Sequence, residues 1–179
     1  MQLKPVRGRK HAAGFSMIEL LVAILVMGIG VLGISALQMV SLQNNRGALQ
    51  RAEAVNFAYD MMDRIRANPA GAPPTSAYDG LDIGSNPPNA ANCNANNCTQ
   101  AQMVTFDQAM WKCQLGNFHQ NGTCQNLRAA GVLADDDVQP GLAEGDGAID
   151  VDGNGMVTVT VQWREAGNVL RTISINSQG

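Results

Sequence analysis

The 179-residue sequence predicts an α+β fold in which one long N-terminal helix backs a small antiparallel β-sheet. Three observations carry this prediction. An uncharged run from Leu20 to Leu37 continues, with no proline or turn cluster, into an amphipathic stretch that reaches residue 65. Near the C-terminus, short segments alternate apolar and polar residues and are separated by the turn sequences DGNG and REAGN. Between these regions lies a segment rich in Pro, Gly and Asn, with too little apolar surface to form a core of its own.

The run LLVAILVMGIGVLGISAL is about 27 Å long at helical rise, close to the roughly 30 Å of a bilayer's hydrocarbon core. It is apolar all round and can span a membrane. Beyond it, Leu49, Ala52, Val55, Tyr59 and Met62 recur at three- and four-residue intervals, and these are expected to form the face laid on the sheet. Arg46, Glu53, Asp60 and Arg64 occupy the opposite face. Asn68-Pro69 ends the helix, since proline disfavours the helical conformation in the residue before it. The expected divisions are residues 15–42 for the apolar helix, 43–68 for its amphipathic continuation and 69–179 for a globular head. Without the membrane segment about 135 residues remain, enough for one compact domain.

Residues 69–99 read as a long surface loop. Met103, Phe106, Met110 and Cys113, flanked by Val104, Trp111 and Leu115, mark an amphipathic helix over 100–117. The strands follow: Ile149 and Val151; Val157, Val159, Val161 and Trp163; Ile173 and Ile175.

Formal charge is -3, with Lys4, Arg7, Arg9 and Lys10 crowded ahead of the apolar run and acids dominating the C-terminal half. That basic cluster predicts a cytoplasmic N-terminus and an exported head, and no basic surface of nucleic-acid type remains. Four cysteines, Cys93, Cys98, Cys113 and Cys124, fall in the exported part, where disulfides persist. Three pairings are possible, and the preferred one joins nearest neighbours, Cys93 with Cys98 and Cys113 with Cys124. The rival zinc site lacks paired C-x2-C knuckles.

Other patterns read more simply. Gly28, Gly30 and Gly33 fit G-x-G-x-x-G, and Glu53 stands where a ribose-binding acid might, but both flanks are helical and no βαβ unit surrounds them. Asp150, Asp152 and Asn154 resemble the start of a calcium loop, whose twelfth position is here Val161 rather than Glu. The same residues fit a hairpin turn better. Asp135, Asp136 and Asp137 read as a solvated loop, and the sequons at Asn97 and Asn121 carry little weight in so short a pattern. His119 stands alone, His11 precedes the apolar run, and no catalytic triad, Walker or metalloprotease motif is present. The chain is therefore not read as an enzyme, and no cofactor is expected.

The opening has the basic and apolar regions of a secretory signal but no A-x-A cleavage site after the apolar run; the small residues Ala12, Ala13 and Gly14 precede it instead. Gly14-Phe15-Ser16-Met17-Ile18-Glu19 resembles the class III signal of type IV prepilins. With the Asn68-Pro69 helix end, Trp111 and the strand VTVTVQW, the chain is most similar to the PilV group of minor pilins. Many major pilins have a helix-kinking proline where this chain has Ala36, and the usual pilin disulfide near the C-terminus is absent. The resemblance implies a lollipop-like fold and removal of a leader, residues 1–14, by a prepilin peptidase that cuts between Gly14 and Phe15. The same enzyme would N-methylate Phe15. Glu19 would set subunit register by pairing with the N-terminal amine of a neighbouring subunit. Implied partners are that peptidase and N-methyltransferase, other minor pilins and the major pilin, the inner-membrane assembly platform and the lipid bilayer. The implied function is assembly or priming of a type IV pilus from a single-pass inner-membrane form whose head is periplasmic. The alternatives are a minor pseudopilin of a type II secretion system and a signal-anchored periplasmic binding domain.

Overall fold

Helix α1 runs without a break from Met17–Ala67, 51 residues, and stops one residue before the Asn68-Pro69 pair. The computed structural model describes residues 14–71, 76–134 and 141–178; the leader residues before Gly14 and the run Asp135, Asp136 and Asp137 lie outside the described residues. A short 3-10 turn at Pro69–Gly71 follows α1, then α2 (Gln100–Leu115), α3 (Gly122–Ala129), and strands β1 (Asp146–Val151), β2 (Met156–Glu165) and β3 (Val169–Gln178). The strands form one antiparallel sheet in the order β1-β2-β3. This is the α+β architecture expected, a long N-terminal helix packed on a three-stranded sheet.

The chain divides into two units between Asn44 and Asn45. In the first, every described residue is exposed, including the whole apolar run. In the second, the core is shared by the helix, the sheet and α2. It gathers Ala54, Ala58, Met61, Met62 and Ile65 of α1 with Trp111 and Leu115 of α2 and with Ile149, Val157, Val159, Val161 and Trp163 of the sheet. Ile149 sits opposite Val159, and Val161 opposite Ile173, so the alternation read from the sequence places one apolar row inside. Ile173 and Ile175 are only half-buried.

Of the five residues expected on the buried face of α1, only Met62 is buried. Leu49, Ala52 and Tyr59 are exposed and Val55 is half-buried, while the stripe through Ala54, Ala58 and Ile65 turns inward. Size explains the choice. Trp111 is wholly buried and its indole Nε1 donates to the Phe57 carbonyl at 2.9 Å, so the helix presents small side chains where α2 brings a large ring. Gly147 of β1 obeys the same constraint, because a Cβ there would collide with the Trp111 ring.

Two more expectations are corrected. Residues 69–99 are not wholly a surface loop: Tyr78 and Leu81 are core residues, and the Leu81 carbonyl accepts the Ile149 N–H at 2.8 Å, extending the sheet edge by one bridge. Helix α3 was not expected at all. It is eight residues long, capped by the Asn121 side chain on the Thr123 N–H, and closes a second cluster with Phe106, Met110, Phe118 and Leu127.

Candidate functional site

Gly14, Phe15 and Ser16 precede α1, and Phe15 is 83% exposed. The Ser16 carbonyl opens the helix by accepting the Glu19 N–H at 3.1 Å and the Leu20 N–H at 3.3 Å. Glu19 is the acid of the first turn, where the helix dipole favours negative charge. Ser16-Met-Ile-Glu19 also has the capping-box spacing, a signal the sequence reading missed. Neither side-chain bond of such a box is made here among the described residues. At α2 both are made, by Thr99 and Gln102 at 2.9 and 3.3 Å. Glu19 therefore stands exposed, its carboxylate without a partner among the described residues, at the start of a helix whose apolar side chains are exposed throughout the run from Leu20 to Leu37.

The head is held by polar clamps rather than by apolar burial alone. Lys112, with no exposed surface, lies 2.5 Å from Asp146 Oδ1, donates to the Asp82 carbonyl at 2.7 Å and sits over the Phe118 ring. Asp146 Oδ2 accepts the Gly84 N–H at 2.6 Å, so one ion pair joins α2, β1 and the loop. A second clamp runs from Arg64 to Asp107 at 3.2 Å, from the Tyr78 hydroxyl to Asp107 at 2.5 Å, and from Asn68 Nδ2 to Tyr78 at 3.1 Å. Burial and the Asp107 carboxylate push the Tyr78 hydroxyl well above the usual tyrosine range. Disulfides join Cys93 to Cys98 and Cys113 to Cys124, the nearest-neighbour connectivity. The first closes the loop just ahead of the α2 N-cap, and the second ties α2 to α3.

A cleft of about 480 Å³ in the head is lined in part by Glu53, Asp60, Arg64, Gln114 and Arg128. Arg64 is engaged there by Asp60 and Asp107, and Arg128 by the His119 carbonyl. Among the described residues no nucleophile and base are brought together there.

Residues 9–35 match the family described as the prokaryotic N-terminal methylation motif, and residues 36–109 match the Tt1218-like family, described as type IV pilin Tt1218. The chain is type IV pilin-like. It carries the prepilin methylation motif within residues 9–35, a segment that contains Gly14, Phe15 and Glu19. No curated protein and no solved structure matches it. Pilins of this kind are structural subunits rather than enzymes. The prepilin motif implies processing by prepilin peptidase and assembly with other pilins, and with the apolar helix it fits inner-membrane anchoring.

The pilin-like chain places the remaining candidates as follows. Gly28, Gly30 and Gly33 lie inside α1 with no strand before them, so the dinucleotide pattern has no structural context. Asp152 Oδ1 accepts the N–H groups of Asn154 and Met156 at 2.9 and 2.8 Å, which makes it the organiser of the β1–β2 turn. Those backbone bonds hold its carboxyl below the ordinary carboxylate range. Asp150 lies on β1 and is exposed. Sequence reasoning missed Lys112, Asp146, Tyr78 and Asp107. A lysine between Trp111 and Cys113, on the apolar side of an amphipathic pattern, was the one available hint.

Proposed function

We propose that this chain is a minor pilin, closest in kind to the PilV group, that joins or primes a type IV pilus through its apolar helix and carries its head outward. Prepilin peptidase cuts between Gly14 and Phe15, N-methylates Phe15 and releases the chain to assemble with other minor pilins, the major pilin and the inner-membrane assembly platform. The observation that carries this reading is Glu19: an exposed first-turn acid with no partner among the described residues, at the mouth of an apolar helix. Cleavage would create an ammonium at Phe15. In a bundle of such helices both charges enter a low dielectric, where an unpaired charge is costly and a paired one is tolerated. Glu19 of an incoming subunit then meets the amine of one already assembled, and the pair selects the axial register. The uninterrupted α1 at Ala36 supports a minor rather than a major subunit.

The test is Glu19→Ala beside Glu19→Asp at native expression. Glu19→Ala is expected to be cleaved and inserted but absent from sheared pili, with Glu19→Asp partly retained. Normal incorporation of the alanine variant would remove the register role. A deletion strain that loses protein secretion while keeping pili and twitching would place the chain in a type II secretion pseudopilus instead.

A further inference from the structure

Strand β3 runs back along α1, and two contacts fix its direction. Arg66 Nη2 donates to the Ser177 hydroxyl at 2.7 Å, so the end of β3 lies beside the end of α1. Earlier in the strand, Arg171 and Thr172 share a cleft with Gly47 and Arg51. Glu165, the last residue of β2, lines the same cleft, its Oε1 3.7 Å from where a Cβ of residue 47 would stand. The β2–β3 turn, Ala166 to Asn168, is therefore at the end of the head where α1 enters it, and the β1–β2 turn is at the other end.

That end is both apolar and basic. From Asn45 onward the exposed large apolar side chains among the described residues are Leu49, Tyr59, Ile83, Val169 and Leu170. Val169 and Leu170 adjoin the turn, and Leu49 stands on the stretch of α1 that lines the cleft beside it. Arg164 and Arg171 are taken by Glu144 and Glu165 at 2.5 and 2.9 Å, whereas Arg46 and Arg51 are exposed with no ion-pair partner among the described residues. Glu53, the next acid along α1, lines the other cleft, with Cys113 and Gln114. Apolar side chains beside unpaired arginines suit the layer where acyl chains meet phosphates, because the first lose water there and the second gain counter-charge. The chain order puts them at such a layer. No charge stands between Glu19 and Arg46, so Arg46 and Arg51 are the first cations after the apolar run.

We propose that the β2–β3 turn docks the head on the bilayer that stores this chain: Val169 and Leu170 enter the interfacial layer, and Arg46 and Arg51 bind the phosphates of anionic phospholipids. The proposal rests on the apolar run spanning that bilayer and adds to it a second contact, made by the head. Docking holds the head against the membrane, and the chain must break it to leave for an assembly.

The test uses the full chain reconstituted in vesicles of phosphatidylethanolamine and phosphatidylglycerol, with a nitroxide on Ala166→Cys in the β2–β3 turn or on Asn154→Cys in the β1–β2 turn, both exposed positions. The first label is expected to collide with lipid-soluble oxygen and to be shielded from a water-soluble nickel chelate, and the second to show the reverse. Arg46→Gln with Arg51→Gln is expected to lower the ratio of docked to undocked heads by about fivefold for each arginine, and phosphatidylcholine in place of phosphatidylglycerol to lower it similarly. Equal access of the chelate to the two labels, in chain that resists an alkaline carbonate wash, overturns the docking and leaves the spanning run intact. Chain removed by the wash overturns both. Shielding unchanged by the arginine substitutions overturns the phosphate contact, since the spanning run alone would then hold the turn near lipid. Shielding seen only at high protein-to-lipid ratio assigns the surface to a second copy, and shielding produced by inorganic phosphate in phosphatidylcholine vesicles assigns the arginines to a free anion; either result overturns the lipid assignment.

Discussion

Tyr78 shows how single residues hold the head. It comes from a segment rich in Pro, Gly and Asn, yet it is wholly buried and its hydroxyl donates to Asp107, which also receives Arg64. Its raised pKa fixes a pH dependence. Stability linked to the protonated hydroxyl is fully present below the ordinary tyrosine value of about 10 and is lost as pH rises above it, because only the unfolded chain then releases the proton readily. Tyr78→Phe should cost about 1–3 kcal/mol at pH 8, where Asp107 loses a buried donor, and the difference from wild type should shrink above pH 10. Denaturant unfolding from pH 8 to 12 reads this, and a difference independent of pH would refute it. Lys112 illustrates the same balance in the opposite charge state: burial pushes its pKa down while Asp146 holds it up, and the pair persists because the Asp82 carbonyl and Phe118 occupy the rest of the ammonium.

Among the elements, α3 depends most on its neighbours. Eight residues cannot sustain a helix alone in water, so its place is set by the Asn121 cap, by burial of Leu127 and by the Cys113–Cys124 bond. Chain-entropy arguments give about 3 kcal/mol for the ring closed by that bond and about 2 kcal/mol for the smaller Cys93–Cys98 ring. Cys113→Ala with Cys124→Ala is therefore expected to destabilise the head more than Cys93→Ala with Cys98→Ala does, as measured by urea midpoints. The first pair also leaves a void between buried helices, since both sulfurs belong to the second cluster. The reverse order would show that the exposed loop, rather than α3, limits stability.

At the scale of the whole molecule, the two units answer to different surroundings. The head closes its own core from Ala54 onward, whereas the described apolar residues before Asn45 are covered by nothing in their own chain. Lipid in the stored form, and neighbouring helices in an assembly, would supply what is missing. On the proposed function, the small Gly14 would admit a peptidase to the backbone and the basic residues before it would hold the bond at the cytoplasmic surface. Mass spectrometry of the mature chain from a host carrying the peptidase should find an N-methylated Phe15 at the N-terminus. An intact leader would instead favour a signal-anchored periplasmic domain.

The sequence by itself determined the long helix and its end at Asn68-Pro69, the membrane-length apolar run, the α2 segment, the three strands with their inward rows, and the prepilin motif. All of these are written locally, in hydropathy period, helix-breaking residues and short fixed spacings. Only the tertiary structure decided which face of α1 is buried, that Tyr78 and Leu81 leave the loop for the core, and that Lys112 finds Asp146 across 34 residues. Hydropathy ranks Leu49 above Ala54 and Ala58 as a residue to bury, but it carries no information about the shape of the partner. With Trp111 and Trp163 filling the space under the helix, close packing selects the alanines, and the larger side chains are left outside.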